Sequence, residues 1–191
     1  LKSGTNFIRV EQMLPPTEAQ EVGKTGAKLA HDITARSAGW GLGTGGALIV
    51  NGKPLAAGAR GISLFQVDAD GTSTLVGSFD TCASEAASDD FVKAVRAVRR
   101  GTVVALVVAD DASVHFSARA DQAIRKLGGT QSLRGAYRAS YALIGVKGAP
   151  SGTALESFAV GRVAGVTVGR PPSRAVRGSL WHELHIEPRP R

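Results

Sequence analysis

Between residues 134 and 150 the sequence reads RGAYRASYALIGVKGAP, which sets Arg134, Tyr137, Arg138 and Tyr141 ahead of an apolar run, Ala142 to Val146, that stops at Gly148. Arginine and tyrosine together are binding chemistry: a guanidinium makes forked hydrogen bonds, and an aromatic ring offers an apolar face with a polar tip. The same residues also serve as ordinary surface. The rest of the chain has to decide between the two.

Stretches that look catalytic fail on their context. Gly41-Leu42-Gly43-Thr44-Gly45-Gly46 fits the glycine pattern of dinucleotide sites. That pattern works where a strand precedes it and a helix opens behind it, so that the helix N-terminus holds the pyrophosphate. Here an apolar strand and an Asn51-Gly52 turn follow instead. Gly23-Lys24-Thr25 resembles the end of a phosphate loop, but the glycine required five residues earlier is Glu18. Asp68-Ala69-Asp70 has the spacing of a metal-holding carboxylate pair, yet Gly71 behind it makes a hairpin turn the better reading. Asp110, Asp111 and His115 suggest a metal site or part of a triad, and the plainer role of Asp110 is to end a strand. The four histidines, His31, His115, His182 and His185, lack ligand spacing, and the single Cys82 excludes an internal disulfide and a multi-cysteine zinc site. The expectation is a binding or structural domain: no enzyme, no cofactor, no metal.

The charge balance is uneven. Residues 1–95 carry 8 basic and 10 acidic groups, and residues 96–191 carry 15 and 6, so the C-terminal half favours an anionic neighbour. The basic residues are scattered singles and pairs such as Arg99 and Arg100, without a helix-turn-helix, finger or aromatic RNA-binding signature, so nucleic acid is not the expected partner. No apolar run approaches the roughly 20 residues needed to cross a bilayer, so membrane insertion is not expected either.

The elements that must position Arg138 and its neighbours follow from periodicity. Residues 1 to about 30, with the LPPTEAQEVGKTGAK stretch, read as an extended arm or linker, and the domain proper as 31–191. Strands are expected at 46–50, 62–67 and 74–79, with turns at Asn51-Gly52 and Asp68 to Gly71. A helix over 88–99 shows Phe91, Ala94, Val95 and Val98 at spacings of three and four, with Ser88 as its cap and Gly101 as its stop. The run TVVALVV, 102–108, is apolar on both faces, as a central buried strand would be. A second helix over 118–127 follows Ser117, and strands return at 141–146, in FAVGRVAGVTV and in SLWHELHIEP.

Taken in order, ARGISLFQVDADGTSTLVGSFDT, GTVVALVVADDAS, a short helix ending in LGG, and YRASYALIGVKG resemble the interleukin-like epithelial–mesenchymal transition inducer domain. SAGWG, ALIVNGKPL and LWHELHI extend the likeness over roughly residues 33–187. That domain is similar to the stem domain of protein O-mannose N-acetylglucosaminyltransferase and occurs in cell-surface, bacterial and phage proteins. The composition suits a bacterial or phage member. The resemblance implies an α+β fold: a β-sandwich of two antiparallel sheets flanked by helices, used as a lectin-like module. It places Asp80 in the family's Phe-Asp-Thr motif, and Arg138 and Tyr141 where the family carries an Arg-Asp-Ser/Thr-Trp sequence.

The candidate carbohydrate site is therefore Asp80, Arg138, Tyr141, Tyr137 and Arg60. Tyr137 or Tyr141 would stack on the apolar side of a pyranose, and Asp80, Arg138 and Arg60 would grip vicinal hydroxyls. The plainer alternatives are half-buried tyrosine packing and an Asp80–Arg138 salt bridge. The expected function is non-enzymatic recognition of a glycan or glycoprotein, extracellular on a cell surface or virion. The alternative is a structural protein of a larger assembly such as a phage tail or baseplate, meeting protein neighbours through the arm and the basic C-terminal half.

Overall fold

The computed structural model describes residues 18–43 and 45–169. In chain order these form β1 (Gln20–Glu21), β2 (Lys28–Leu29), β3 (Ile33–Gly39), β4 (Ala47–Val50), β5 (Lys53–Ala56), β6 (Gly61–Val67), β7 (Ser73–Phe79), α1 (Glu85–Ala97), β8 (Val103–Asp110), α2 (Ala118–Arg125), β9 (Ser140–Val146), β10 (Leu155–Ala159) and β11 (Ala164–Val168). None of the described helices is long and apolar enough to cross a membrane.

β8 organises the rest. It pairs antiparallel with β6 from Gly61↔Ala109 to Val67↔Val103, and antiparallel with β9 from Val103↔Val146 to Val107↔Ala142. β7 extends this sheet beyond β6, and β10 extends it beyond β9. Because side chains alternate along a strand, β8 presents Val104, Leu106 and Val108 to one face and Val103, Ala105 and Val107 to the other. The first set packs under the helices with Ile62, Leu64, Phe91, Val95, Ile124, Leu127, Tyr141 and Leu143. The second joins Phe65, Ala142 and Ile144 with Ile33, Ala35, Leu48, Val50, Ala164 and Val168. Each fully buried valine or leucine side chain contributes about 1.5–3 kcal/mol relative to exposure, so a strand buried on both faces stabilises twice over.

The second core is closed by β11, β3, β4 and β5, paired antiparallel in that order. Asn51 and Gly52 carry φ of 49° and 79°, the conformation of a primed two-residue hairpin turn between β4 and β5. The Asp68 to Gly71 turn forms as its residues predict, with the Gly71 N–H donating to the Asp68 carbonyl at 2.9 Å.

The architecture is α+β, mainly strand with two helices over one face. It departs from two separate antiparallel sheets. The last two residues of β3 run parallel to β8, Ala38↔Ala109 and Gly39↔Asp110, and join the two halves into one mixed nine-stranded sheet. Small residues line this junction: Ser37, Ala38 and Gly39 are all buried, and a Cβ on Gly39 would stand 2.3 Å from the Arg138 carbonyl oxygen.

Three further expectations are corrected. The described part of the supposed arm, from residue 18 to residue 30, packs onto the domain: Val22 and Leu29 of the β1–β2 hairpin lie in the second core. The Lys24 N–H also donates to the Thr153 carbonyl at 2.7 Å. Residues 1–17 and the SLWHELHIEP segment lie outside the described residues. The N-cap of α1 is Ser84, whose Oγ accepts from the Ala87 N–H, and the helix starts earlier than its apolar spacing suggested. Ser88 is instead buried inside α1, where its Oγ accepts from the Ser117 N–H at 3.0 Å and ties the two helix starts together. FAVGRVAGVTV is not one strand but the end of β10, a turn and β11.

Because Leu29 is only 3% exposed, Leu29→Ala is expected to lower unfolding free energy by about 2–5 kcal/mol. Chemical denaturation measures it. A change within about 0.5 kcal/mol would mean that the hairpin is detached in solution.

Candidate functional site

Five chain segments meet at the end of the sheet where β8 terminates. β3 ends at Gly39 beside Asp110, β6 begins at Gly61 beside Ala109, and β7 ends at Phe79 beside Ile62. β9 begins at Ser140, paired with Ala159 at the end of β10. Across this edge the residues at or near the strand ends run Asp80, Arg60, Asp110, Trp40 and Arg138.

Two buried serines hold the edge together. Ser37 Oγ donates to the Val108 carbonyl at 2.6 Å and accepts from the Tyr141 N–H at 2.8 Å. Ser140 Oγ accepts from the Gly39 N–H at 2.8 Å. Trp40 is then fixed through its backbone, whose N–H donates to the Asp110 carbonyl at 2.9 Å. Gly39 lies so close to the turn before β9 that a Cβ there would stand 2.3 Å from the Arg138 carbonyl oxygen.

Above this base the Arg138 guanidinium lies against two aromatic rings, 4.8 Å from the centre of Trp40 and 4.7 Å from that of Tyr137. Both rings are largely open to solvent, Trp40 at 56% and Tyr137 at 58%. Arg138 has φ of 55° and Asp110 φ of 59°, left-handed conformations that cost a side-chain-bearing residue energy and that gather at functional sites. The exposed Val160 and Val163 of the β10–β11 turn stand at the same end, since Ala159 pairs with Ser140 and Ala164 with Ser37.

Asp80 belongs to a separate pair. Arg60 donates to it through Nε at 3.0 Å and Nη2 at 2.8 Å, a forked ion pair at the mouth of the β6–β7 hairpin. The Arg60 guanidinium, helped by the Ala83 N–H, holds the Asp80 carboxyl below its usual range. At a spacing of about 4.8 Å per strand, Asp80 and Arg138 are separated by most of the sheet's width and form no pair. Nearby, burial and then the Asp111 carboxylate push the Cys82 thiol up, which suppresses the thiolate needed for nucleophilic chemistry.

Tyr141 is the main correction to the expected site. It is fully buried in the helix-side core, and its hydroxyl donates to Glu156 Oε2 at 2.9 Å. Burial first and the Glu156 carboxylate second push the phenol well above its ordinary range. Glu156 also accepts from the Thr130 N–H at 2.8 Å and from the Thr130 hydroxyl, so Glu156 ties β10 both to the buried Tyr141 and to the turn after α2.

Of the five expected residues the structure thus brings Tyr137 and Arg138 together, pairs Arg60 with Asp80 further along the edge, and places Tyr141 inside. Trp40 was missed. Its signal was a lone tryptophan just past a strand and ahead of a glycine-rich loop. Among the described residues no group of three His, Cys, Asp or Glu side chains is placed to hold a metal ion. His31 is engaged by Ala69 and Asn51, and the Asp111 carboxylate accepts from the Ser113 N–H at 2.8 Å.

Arg138, Trp40 and Tyr137 thus form an exposed cationic and aromatic group at one end of the sheet. Residues 60–149 match the family model described as interleukin-like EMT inducer. That segment, just under half the chain, contains β6 to β9 and both helices, and it supports this family. No curated protein matches the chain.

Tyr141→Ala is expected to destabilise the fold by about 3–5 kcal/mol, as for other buried aromatics. Tyr141→Phe, which removes only the bond to Glu156, should cost about 0.5–1.5 kcal/mol in the same denaturation assay. For Asp80 the folded pKa lies below the unfolded value of about 3.9. The stability from its pair is therefore present above that pH and lost as pH falls through the folded pKa. In an NMR titration Arg60→Gln should move the Asp80 midpoint upward; an unmoved midpoint would show that the ion pair does not persist in solution.

Proposed function

We propose that the chain is a non-enzymatic carbohydrate-recognition module whose site is the sheet end at Trp40, Tyr137 and Arg138. The observation that carries this is the Arg138 guanidinium held against two half-exposed aromatic rings. Such an arrangement supplies both parts of sugar recognition: an apolar face for the pyranose C–H groups and a fixed donor for its hydroxyls. The rigid strand ends beneath reduce the ordering cost of binding. The family match at residues 60–149 supports a lectin-like or cytokine-like module. The finer reading is a lectin-like module working outside the cell or on a virion. Arg60 and Asp80 extend the edge as a polar flank that can open toward hydroxyls.

A second reading has its own support. Trp40, Tyr137, Arg138, Val160 and Val163 form an exposed aromatic and apolar group, and tryptophan, tyrosine and arginine are the residues that dominate protein–protein hot spots. On this reading the same end seats a neighbouring subunit in a larger assembly such as a phage tail.

A glycan array probed with the wild-type chain, followed by titration of the best glycan, decides between them. Trp40→Ala and Arg138→Ala are each expected to weaken binding about tenfold or more. Their melting temperatures should stay nearly unchanged, because exposed side chains contribute little to folding. A blank array with wild-type protein, together with concentration-dependent self-association lost in Trp40→Ala, favours the assembly reading.

A further inference from the structure

At the opposite end of the sheet, α1 and α2 finish beside the start of β8 and the end of β9. Five cations converge there. Arg96 lies in the last turn of α1, Arg99 and Arg100 in the turn to β8, Lys126 at the end of α2, and Lys147 just past β9. The backbone ties them closely: the Gly101 N–H donates to the Lys147 carbonyl at 2.9 Å, and the Gly148 N–H to the Lys126 carbonyl at 2.7 Å. A Cβ on Gly148 would stand 2.9 Å from the Arg100 side chain.

One of the five has an internal role. The half-buried Lys147 ammonium donates to the Val95 carbonyl in the last turn of α1, where a cation offsets the helix dipole. The other four are exposed, and among the described residues none of the five is in a salt bridge. Lys147 is held below the ordinary lysine range by burial first, then by Lys126 and Arg96. Two carboxylates of the helix layer are paired elsewhere, Asp90 to Lys93 at 2.8 Å and Asp89 to Arg119 at 3.6 Å. Among the described residues no carboxylate forms a salt bridge with this group, which leaves its charge available to an anionic partner.

What the surface lacks narrows the partner. Among the described residues the exposed large apolar side chains lie elsewhere: Trp40, Tyr137, Val114, Val160 and Val163 toward the other end, and Leu75 and Val76 on β7. A bilayer surface would be met by apolar side chains that insert, single-stranded nucleic acid by stacking aromatics, and a protein by apolar anchors. A chain recognised through charge alone fits what is present, with arginine forks suited to sulfate and carboxylate groups.

We propose that Arg96, Arg99, Arg100, Lys126 and Lys147 form a docking surface for an acidic polysaccharide bearing sulfate or uronate groups. The surface does not depend on the Trp40–Arg138 site, and the two would act on different parts of a glycan-covered surface. The test is binding of the full chain to heparin and to polygalacturonate at low salt, with dextran, duplex DNA and phosphatidylglycerol vesicles as comparison probes. Binding to either acidic polysaccharide is expected to fall steeply with salt, and Arg96→Gln/Arg100→Gln should weaken it about tenfold, as loss of two ionic contacts does. Arg134→Gln/Arg162→Gln, with the same change in net charge, should leave it within about twofold, because contacts rather than total charge set the affinity. Trp40→Ala should also leave it intact, which separates this surface from the proposed glycan site. Absent binding to both acidic polysaccharides, tighter binding to DNA or vesicles, or equal losses in the two double variants would each overturn the proposal.

Discussion

Burial of β8 on both faces and along both edges is the constraint on which the structure depends. A strand in that position must be apolar throughout, and Val103 to Ala109 is. Its two rows of side chains each need a cover, and the helices supply one while β3, β4 and β11 supply the other. Since neither cover alone shields both rows, the two cores are coupled through one backbone. A cavity opened in either is felt by the hydrogen bonds of the shared strand.

The same strand fixes the edge that carries Trp40 and Arg138. Where β8 runs out, its last residues are flanked by β3 on one side and β6 on the other, and the side chains that leave the sheet there inherit positions set by paired backbone. The serine bridges from Ser37 and Ser140 pull β3 against β8 and β9 closely enough that only glycine is tolerated at position 39. Trp40 and Arg138 therefore face each other because their backbones cannot drift apart. Two residues in left-handed conformation at this edge, Asp110 and Arg138, are the strain that accompanies such close approach.

How much of this could be read from sequence depended on the physical signal each part carries. β6, β7, β8, β9 and both helices were legible because apolar periodicity and turn chemistry are local. β3 was not, because ITARSAG buries small and polar residues whose value lies in close backbone approach, not in apolar area. The β1–β2 hairpin was hidden for a similar reason, with two buried side chains among charged ones. At the site, Tyr137 and Arg138 were legible as neighbours in one turn. The Arg60–Asp80 pair follows from the hairpin register, since the two residues sit two and one positions outside the predicted strands, yet the family comparison drew Asp80 toward Arg138 instead. Tyr141 could not be placed from its own segment, because its burial depends on a carboxylate fifteen positions away that accepts its hydroxyl.

β3 also bears on the order in which the chain can assemble during synthesis. It leaves the ribosome early, but the carbonyl that Ser37 binds is 71 residues downstream, and the Thr167 hydroxyl that meets Thr34 is 133 residues downstream. Only β4 is close enough to pair with it at once, with β5 pairing on β4 in turn. Until β8 and then β11 emerge, the three-strand ribbon carries an uncovered apolar face, and closing such long loops delays the rewarding contacts. Nascent chains of this protein therefore depend on late-arriving strands to sequester early ones, which makes the interval before β11 the period of greatest exposure to aggregation or to holding chaperones.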